Sequence, residues 1–422
     1  MHWLLIGYMF LFIHRPFEIW PILGDLHVER VYMGGVFLFW LMHSGKRWIA
    51  NAQQGAYLVF GMAVAACWVM SPWAEQGQVV VENWFKILFF YLLLVTSVYD
   101  AKGLKRLAFG FLAVMAVYML HSIKEYLGGR HTFRMGIVRL LGVDSSMGDP
   151  NSFGGSIVFS LPFVTAFWNA CRGKWIKACC FGYVGLSAGC ILLTGSRSSL
   201  LGMVLWGSIV IMRSRYRWAG LGSMVLIAPL MFFALPDSLQ NRFETIINPD
   251  VGPANAKESG EGRIEGFFTG MDLIMAYPAT GVGPGSWRPA TGSKLESHNL
   301  YGQLCGEMGL LGVMTFLSIL VCFWMNWMWF KSRPSAQTAA NPFPRAIAGS
   351  VMMAVFLMLF MGNFGHNLFR HNWLWFGGFL VIARHVASKQ TAPAVAPMRS
   401  RYPHRVASWR VQVGGLSTAR LS

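Results

Sequence analysis

The chain of 422 residues is 55% hydrophobic and only 13% charged, with a formal net charge of +17 and a positive mean hydropathy. An ordinary soluble domain carries about a quarter of its residues charged, so the composition excludes a soluble globular enzyme and leaves a polytopic membrane protein. Apolar runs recur along almost the whole length without alternating polar and apolar residues, which makes the spans helices and not the strands of a membrane barrel.

The first run, WLLIGYMFLFI, lacks a basic start and a small-residue cleavage site before HRPFEIWP, and reads as a retained first helix. Helices are expected near 3–15, 28–43, 54–72, 83–99, 104–122, 152–170, 176–194, 198–212, 218–236, 299–330, 346–363 and 372–387, about twelve spans in all. The stretch 299–330 is too long for one straight span, so its first turns lie outside the bilayer or form an interfacial helix.

Short cytoplasmic loops are enriched in Lys and Arg. GKR, DAKGLKR, RGKWIK, RSRYR, KSRP and the tail all fall on one side when the N-terminus is cytoplasmic. The acidic AEQGQVVVEN and the two longest loops, near 123–151 and 237–298, fall on the other. The chain therefore divides into nine helices in 1–236, a large external loop at 237–298, three helices in 299–388 and a basic tail at 389–422, expected to be disordered. The positive charge marks a cytoplasmic face that meets anionic membrane lipids, with no nucleic acid required. The seven cysteines sit in or beside apolar runs without CxxC spacing, so they read as small buried hydrophobes and no metal site is expected.

The loop 237–298 carries eight acids against five bases, so Arg263 is not part of a general basic patch. Within it, GEGRIEGFFTGMDLIMAYPATGVGPGSW reads as a turn, an amphipathic helix from about Arg263 to Ala276, and a Pro- and Gly-rich turn. GVGPGS has no strand before it and no Lys-Ser/Thr after it, which argues against a nucleotide site.

GDPNSFGG (148–155), LLTGSRSSLLG (192–202), the Arg263 helix ending in YPATGVGPGSW, and SHNLYGQLCGEMGLLG (297–312) occur in this order. The order, spacing and shared sidedness over roughly 145–330 resemble the O-antigen ligase and polymerase superfamily of bacterial envelope glycan enzymes. The resemblance implies an inner-membrane protein that transfers a glycan from a polyprenyl diphosphate carrier to an acceptor hydroxyl at the periplasmic face, without metal or cofactor. It also implies that activity depends on Arg197, Arg263 and His298. Where the family often has Trp four residues after the loop arginine, this chain has Phe267, which keeps an aromatic body and loses an indole N–H.

Such a reaction needs stabilisation of a leaving diphosphate, which suits the planar, permanently charged guanidinium, and activation of a hydroxyl, which suits histidine or a carboxylate. Each candidate also has a plainer reading. Arg197, in the hydroxyl-rich TGSRSS helix start, either binds phosphate or snorkels to headgroups. Arg263 either meets substrate or pairs with Glu261 or Glu265. His298 is a general base, a donor to the diphosphate, or an interfacial residue capping the next helix with Asn299. Glu307 is an alternative base or a structural partner. Arg130, Arg134 and Arg139 place positive charge in the other external loop, against the usual rule, either for an anion or by snorkelling. Asn151 is expected at a helix N-cap, and Arg288 is a further substrate-binding candidate. His366 and His371 are five apart, a spacing that does not favour one metal on one helix face.

The expected partners are thus a polyprenyl-diphosphate-linked glycan donor and a lipid A core, protein or glycan acceptor. Ligase and polymerase both fit; the single dominant loop late in the chain leans towards ligase. A lipid-linked glycan transporter is the alternative from another class, but transporters show internal repeats and mid-membrane charges, whereas the conspicuous charges here lie at helix boundaries.

Overall fold

The computed structural model describes residues 1–134, 137–145, 148–244, 254–333 and 341–391. All twelve stretches expected to be helical are helical. The described elements are α1 (His2–His14), the short α2 (Pro16–Ile19) and α3 (Pro21–Asp25), α4 (Val28–Met42), α5 (Ala52–Val69), α6 (Ala74–Ser97), α7 (Ala101–Leu127), a hairpin of β1 (His131–Arg134) and β2 (Ile137–Leu140), α8 (Pro150–Ala170), α9 (Lys174–Thr194), α10 (Arg197–Met212), α11 (Arg217–Phe233), α12 (Asp237–Glu244), α13 (Ala254–Ala276), α14 (Trp287–Thr291), α15 (Leu300–Lys331), α16 (Phe343–Gly362) and α17 (Asn372–Thr391).

Seven of these, α5 to α9 with α15 and α16, are long and apolar enough to cross a membrane. Exposed side chains such as Phe181, Val225, Leu226, Phe233 and Met314 turn apolar surface outward, as a helix facing lipid requires. The central helix is one of the less apolar ones. Trp373, Leu374, Trp375, Phe376, Phe379 and Leu380 of α17 are wholly buried, packed against α6, α7, α15 and α16, so α17 meets protein on every side and tolerates the polar Asn372, Arg384 and His385 near its ends.

Three expectations need correction. α6 begins at Ala74, so the acidic AEQGQVVVEN is helix and not turn, with Gln78 donating to Glu82 one turn on at 2.7 Å. The loop near 123–151 contains an antiparallel hairpin in which Thr132 faces Arg139, and its second strand buries Ile137 and Leu140. The loop helix begins at Ala254, well before Arg263, so the sequence expected to form a turn lies inside α13.

α15 is broken at Gly309, whose φ of 58° and ψ of −159° interrupt the helix. The break separates a short first segment from a long apolar one, in keeping with a stretch too long for one straight span. The loop between α13 and α14 clasps it: Val282 N–H donates to Gly306 O and Gly283 N–H to Glu307 O, both at 2.9 Å, while the N–H groups of Leu310 and Leu311 reach back to Pro278 and Ala279. Gly309 is pressed against Ala279 and Gly281, leaving no room for a Cβ. The glycines of GVGPGS thus serve a structural clasp.

α13 and the first segment of α15 approach through glycines at four-residue spacing, GFFTG (266–270) against GQLCG (302–306). A Cβ on Gly266 would collide with the Ser297 carbonyl, and one on Gly270 or Gly302 with the facing backbone. Gly207 of α10 faces open space. Adding the same methyl group at both places is therefore a controlled comparison: Gly207→Ala is expected to be neutral or to stabilise by up to about 1 kcal/mol, and Gly270→Ala to destabilise by about 1–3 kcal/mol. Thermal unfolding in detergent checks this, and equal midpoints for the two variants would contradict the close approach.

Candidate functional site

The glycine-mediated approach brings the N-terminal part of α13 beside the residue that enters α15. Arg263 and His298 both line a cavity of about 730 Å³, together with Arg197 at the start of α10, Arg139 of β2, Arg242 of α12, Arg288 of α14 and Arg370 before α17. The acids on its wall are Asp149, Glu265 and Glu296. Among the described residues, six arginines against three acids give the cavity wall an excess of positive charge.

Each arginine is set by a different local device. α9 ends in a left-handed Gly195 with φ 58°, and its carbonyl accepts from Arg242 Nε at 2.7 Å. Arg197 is the first residue of α10, whose N-cap Ser196 accepts from Ser199 N–H. Arg139 is buried and donates from Nε to Thr194 O at 2.7 Å and from Nη2 to Asn151 Oδ1 at 3.1 Å. Arg370 donates to Ser152 O and Ser156 Oγ of α8. Arg263 stacks over Phe364, 5.6 Å from the ring centroid, an arrangement that offsets part of its desolvation.

Burial lowers the pKa of Arg263 to about 10, and the nearby Arg197 and Arg242 push in the same direction. The guanidinium remains charged at neutral pH, and its two neighbours add positive potential where it lies. Arg263 forms no ion pair with Glu265 and, among the described residues, with no other carboxylate; the Glu261 side chain lies outside the described residues.

His298 does not cap α15. Asn299 does, accepting from Tyr301 N–H at 2.9 Å and Gly302 N–H at 3.0 Å. His298 precedes the cap with φ 47°, a left-handed conformation uncommon for a residue other than glycine. Its ring lies 5.4 Å from that of His366, which also lines the cavity and whose buried Nδ1 has no hydrogen-bond partner among the described residues.

Of the remaining candidates, Arg288 lines the cavity in a 2.7 Å ion pair with Glu296. Asn151 also lines it, but Asp149, not Asn151, caps α8, accepting from Asn151 and Ser152 N–H. Pro150 at the first helical position fits that assignment and leaves the Asn151 carbonyl oxygen for Arg139. Glu307 is away from the cavity and 1% exposed; Gln303 Nε2 and the N–H groups of Gly285 and Trp287 donate to it, so it anchors the clasp loop. Arg130 donates to Val143 O and does not line the cavity. The side chain of Arg134 lies outside the described residues. Arg242, His366 and Arg370 were not among the expected site residues. The polar GHNLFRHN between two apolar helices was the available signal for His366 and Arg370, whereas Arg242 carries none in sequence. Among the described residues, no group of His, Cys, Asp and Glu is placed to hold a metal.

Burial, with Arg370 adding to it, holds His371 unprotonated at a pKa of about 3; burial, His298 and Arg370 hold His366 at about 4, Asp149 opposing them. Both titrate near 6.5 when unfolded. Between about pH 6.5 and 4 the unfolded chain binds protons that the folded chain refuses, so folded stability is lost as pH falls through that window. Thermal midpoints measured from pH 7 to 4.5 are expected to fall, and less steeply in His366→Asn; an identical slope in the variant would contradict this.

Residues 182–317 match the family model described as O-antigen ligase. The matched stretch contains Arg197, Arg242, Arg263, Arg288 and His298 and ends beyond the kink of α15. No curated protein matches the chain. The match to the O-antigen ligase model, in a bundle with membrane-length apolar helices, supports the O-antigen ligase superfamily for this chain.

Proposed function

We propose that the protein transfers a glycan from a polyprenyl diphosphate carrier to an acceptor hydroxyl at the periplasmic face of the bacterial inner membrane, most simply as an O-antigen or related polysaccharide ligase. The observation that carries this reading is the convergence of Arg197, Arg242 and Arg263 with His298 on one cavity. The arginines hold the diphosphate. His298 takes the proton of the acceptor hydroxyl, whose oxygen forms a bond to the anomeric carbon. The bond from that carbon to the diphosphate oxygen breaks with its electron pair, and the negative charge that develops is stabilised by the guanidinium groups. Attack from the side opposite the leaving group inverts the anomeric centre.

The acceptor distinguishes ligation to a lipid A core or protein from polymerisation on a second lipid-linked glycan. The late position of segment 237–298 and the compact helices after it favour ligation. In cells lacking the protein, accumulation of long unattached polymer on the carrier is expected, and single repeat units would instead mean a polymerase.

Residue roles are separable by assay of purified protein in detergent. His298→Ala is expected to lower turnover by at least about 100-fold, the scale of general-base catalysis, with donor affinity changed by less than about threefold. Arg263→Ala is expected to weaken donor binding by about 10-fold or more, the loss of a charge-assisted contact. Retained transfer in well-folded His298→Ala and Arg263→Ala would contradict the assignment. Transfer without a sealed membrane also excludes a pure transporter.

A further inference from the structure

At the end of the bundle opposite the cavity, the last turn of α15 meets the start of α16 and the last turns of α17. Two arginines lie over one indole there, and a third bonds to the backbone of the first. The Arg333 guanidinium lies 4.0 Å and that of Arg384 5.6 Å from the Trp329 ring centroid, and Arg345 Nη1 donates to the Arg333 carbonyl at 3.1 Å. Arg384 is held in place: its Nη1 donates to Asn326 Oδ1 at 2.8 Å, and the buried Asn326 is in turn bonded to Asn51 and Gln53.

Like charges so close repel, and contact with an indole offsets only part of the cost. Among the described residues none of the three pairs with a carboxylate. Nor does the rest of the C-terminal sequence hold an acidic side chain, because no Asp or Glu occurs after Glu307. A compensating anion therefore comes from outside this part of the chain. Next to the cluster, α15 exposes Val321, Trp324, Met325 and Met328, an apolar stripe at i, i+3, i+4 and i+7 that runs up the same helix to Trp329.

The geometry points to a binding site for an anionic phospholipid, with its phosphodiester held by Arg333, Arg345 and Arg384 beside Trp329 and an acyl chain lying along the α15 stripe. The arginines match the phosphate, and the stripe selects a lipid over a free anion. The site is independent of glycan transfer and lies at the other end of α15, α16 and α17 from the cavity.

The test uses the full-length protein in neutral detergent with phosphatidylglycerol, phosphatidylcholine or inorganic phosphate. Phosphatidylglycerol is expected to raise the thermal midpoint by about 4 °C, and the other two to leave it within about 1 °C. The double variant Arg333→Gln, Arg345→Gln, which leaves the Arg384–Asn326 contact in place, is expected to lose at least about half of that rise. Native mass spectrometry of the wild-type protein with equimolar phosphatidylglycerol and phosphatidylcholine needs no variant, and a preference of at least about fivefold for the anionic lipid is expected. Equal retention of the two lipids, an equal rise with inorganic phosphate, or an undiminished rise in the double variant would overturn the proposal.

Discussion

The site rests on the contact of α13 with α15, where glycines on both helices let backbone meet backbone. Four residues without side chains, Gly266, Gly270, Gly302 and Gly306, set the separation of the two helices. Gly266 touches the Ser297 carbonyl, one residue before His298, and lies one helical turn from Arg263. The clasp of 278–287 onto the kinked α15, anchored by buried Glu307, fixes the other end of the same contact. Arg263, on α13, and His298, just before α15, are thereby brought to one cavity by a close backbone contact, the kind of constraint that precise positioning of reacting groups demands.

Electrostatics at the two ends of the bundle follow from one feature of the sequence, its shortage of acids. Around the cavity, Asp149 caps α8 and Glu296 holds Arg288, while burial first, and then the neighbouring Arg197 and Arg242, lower the pKa of Arg263. At the far end, the absence of any acid after Glu307 leaves Arg333, Arg345 and Arg384 uncompensated by their own part of the chain. Both clusters bring arginines together, and like charges at close range repel. Such an arrangement suits an anionic ligand with phosphate better than a neutral one.

Much of the helical layout was legible because a membrane helix needs a long apolar run, which composition reveals directly. α17 was found by the same signal, although its central position was not, since a helix buried by protein carries a weaker apolar mark than one facing lipid. The hairpin was missed because four-residue strands leave little periodicity to read, and α6 was begun too late because Gln and Glu at its start look like a loop until their one-turn spacing is noticed. Arg197, Arg263 and His298 were singled out through the resemblance of their motifs, and all three line one cavity. The glycine pairs GFFTG and GQLCG were visible but mute, since only a structure shows that they face each other. Arg242 could not be read from sequence, because its role depends on the Gly195 carbonyl that orients it.

The most direct test of the central claim is a structure of the protein with a non-transferable polyprenyl diphosphate glycan bound. The expected result is a diphosphate lying between Arg197, Arg242 and Arg263, with the anomeric carbon directed to the side where His298 can deprotonate an incoming hydroxyl. A diphosphate bound away from these arginines, or a sugar turned away from His298, would contradict it.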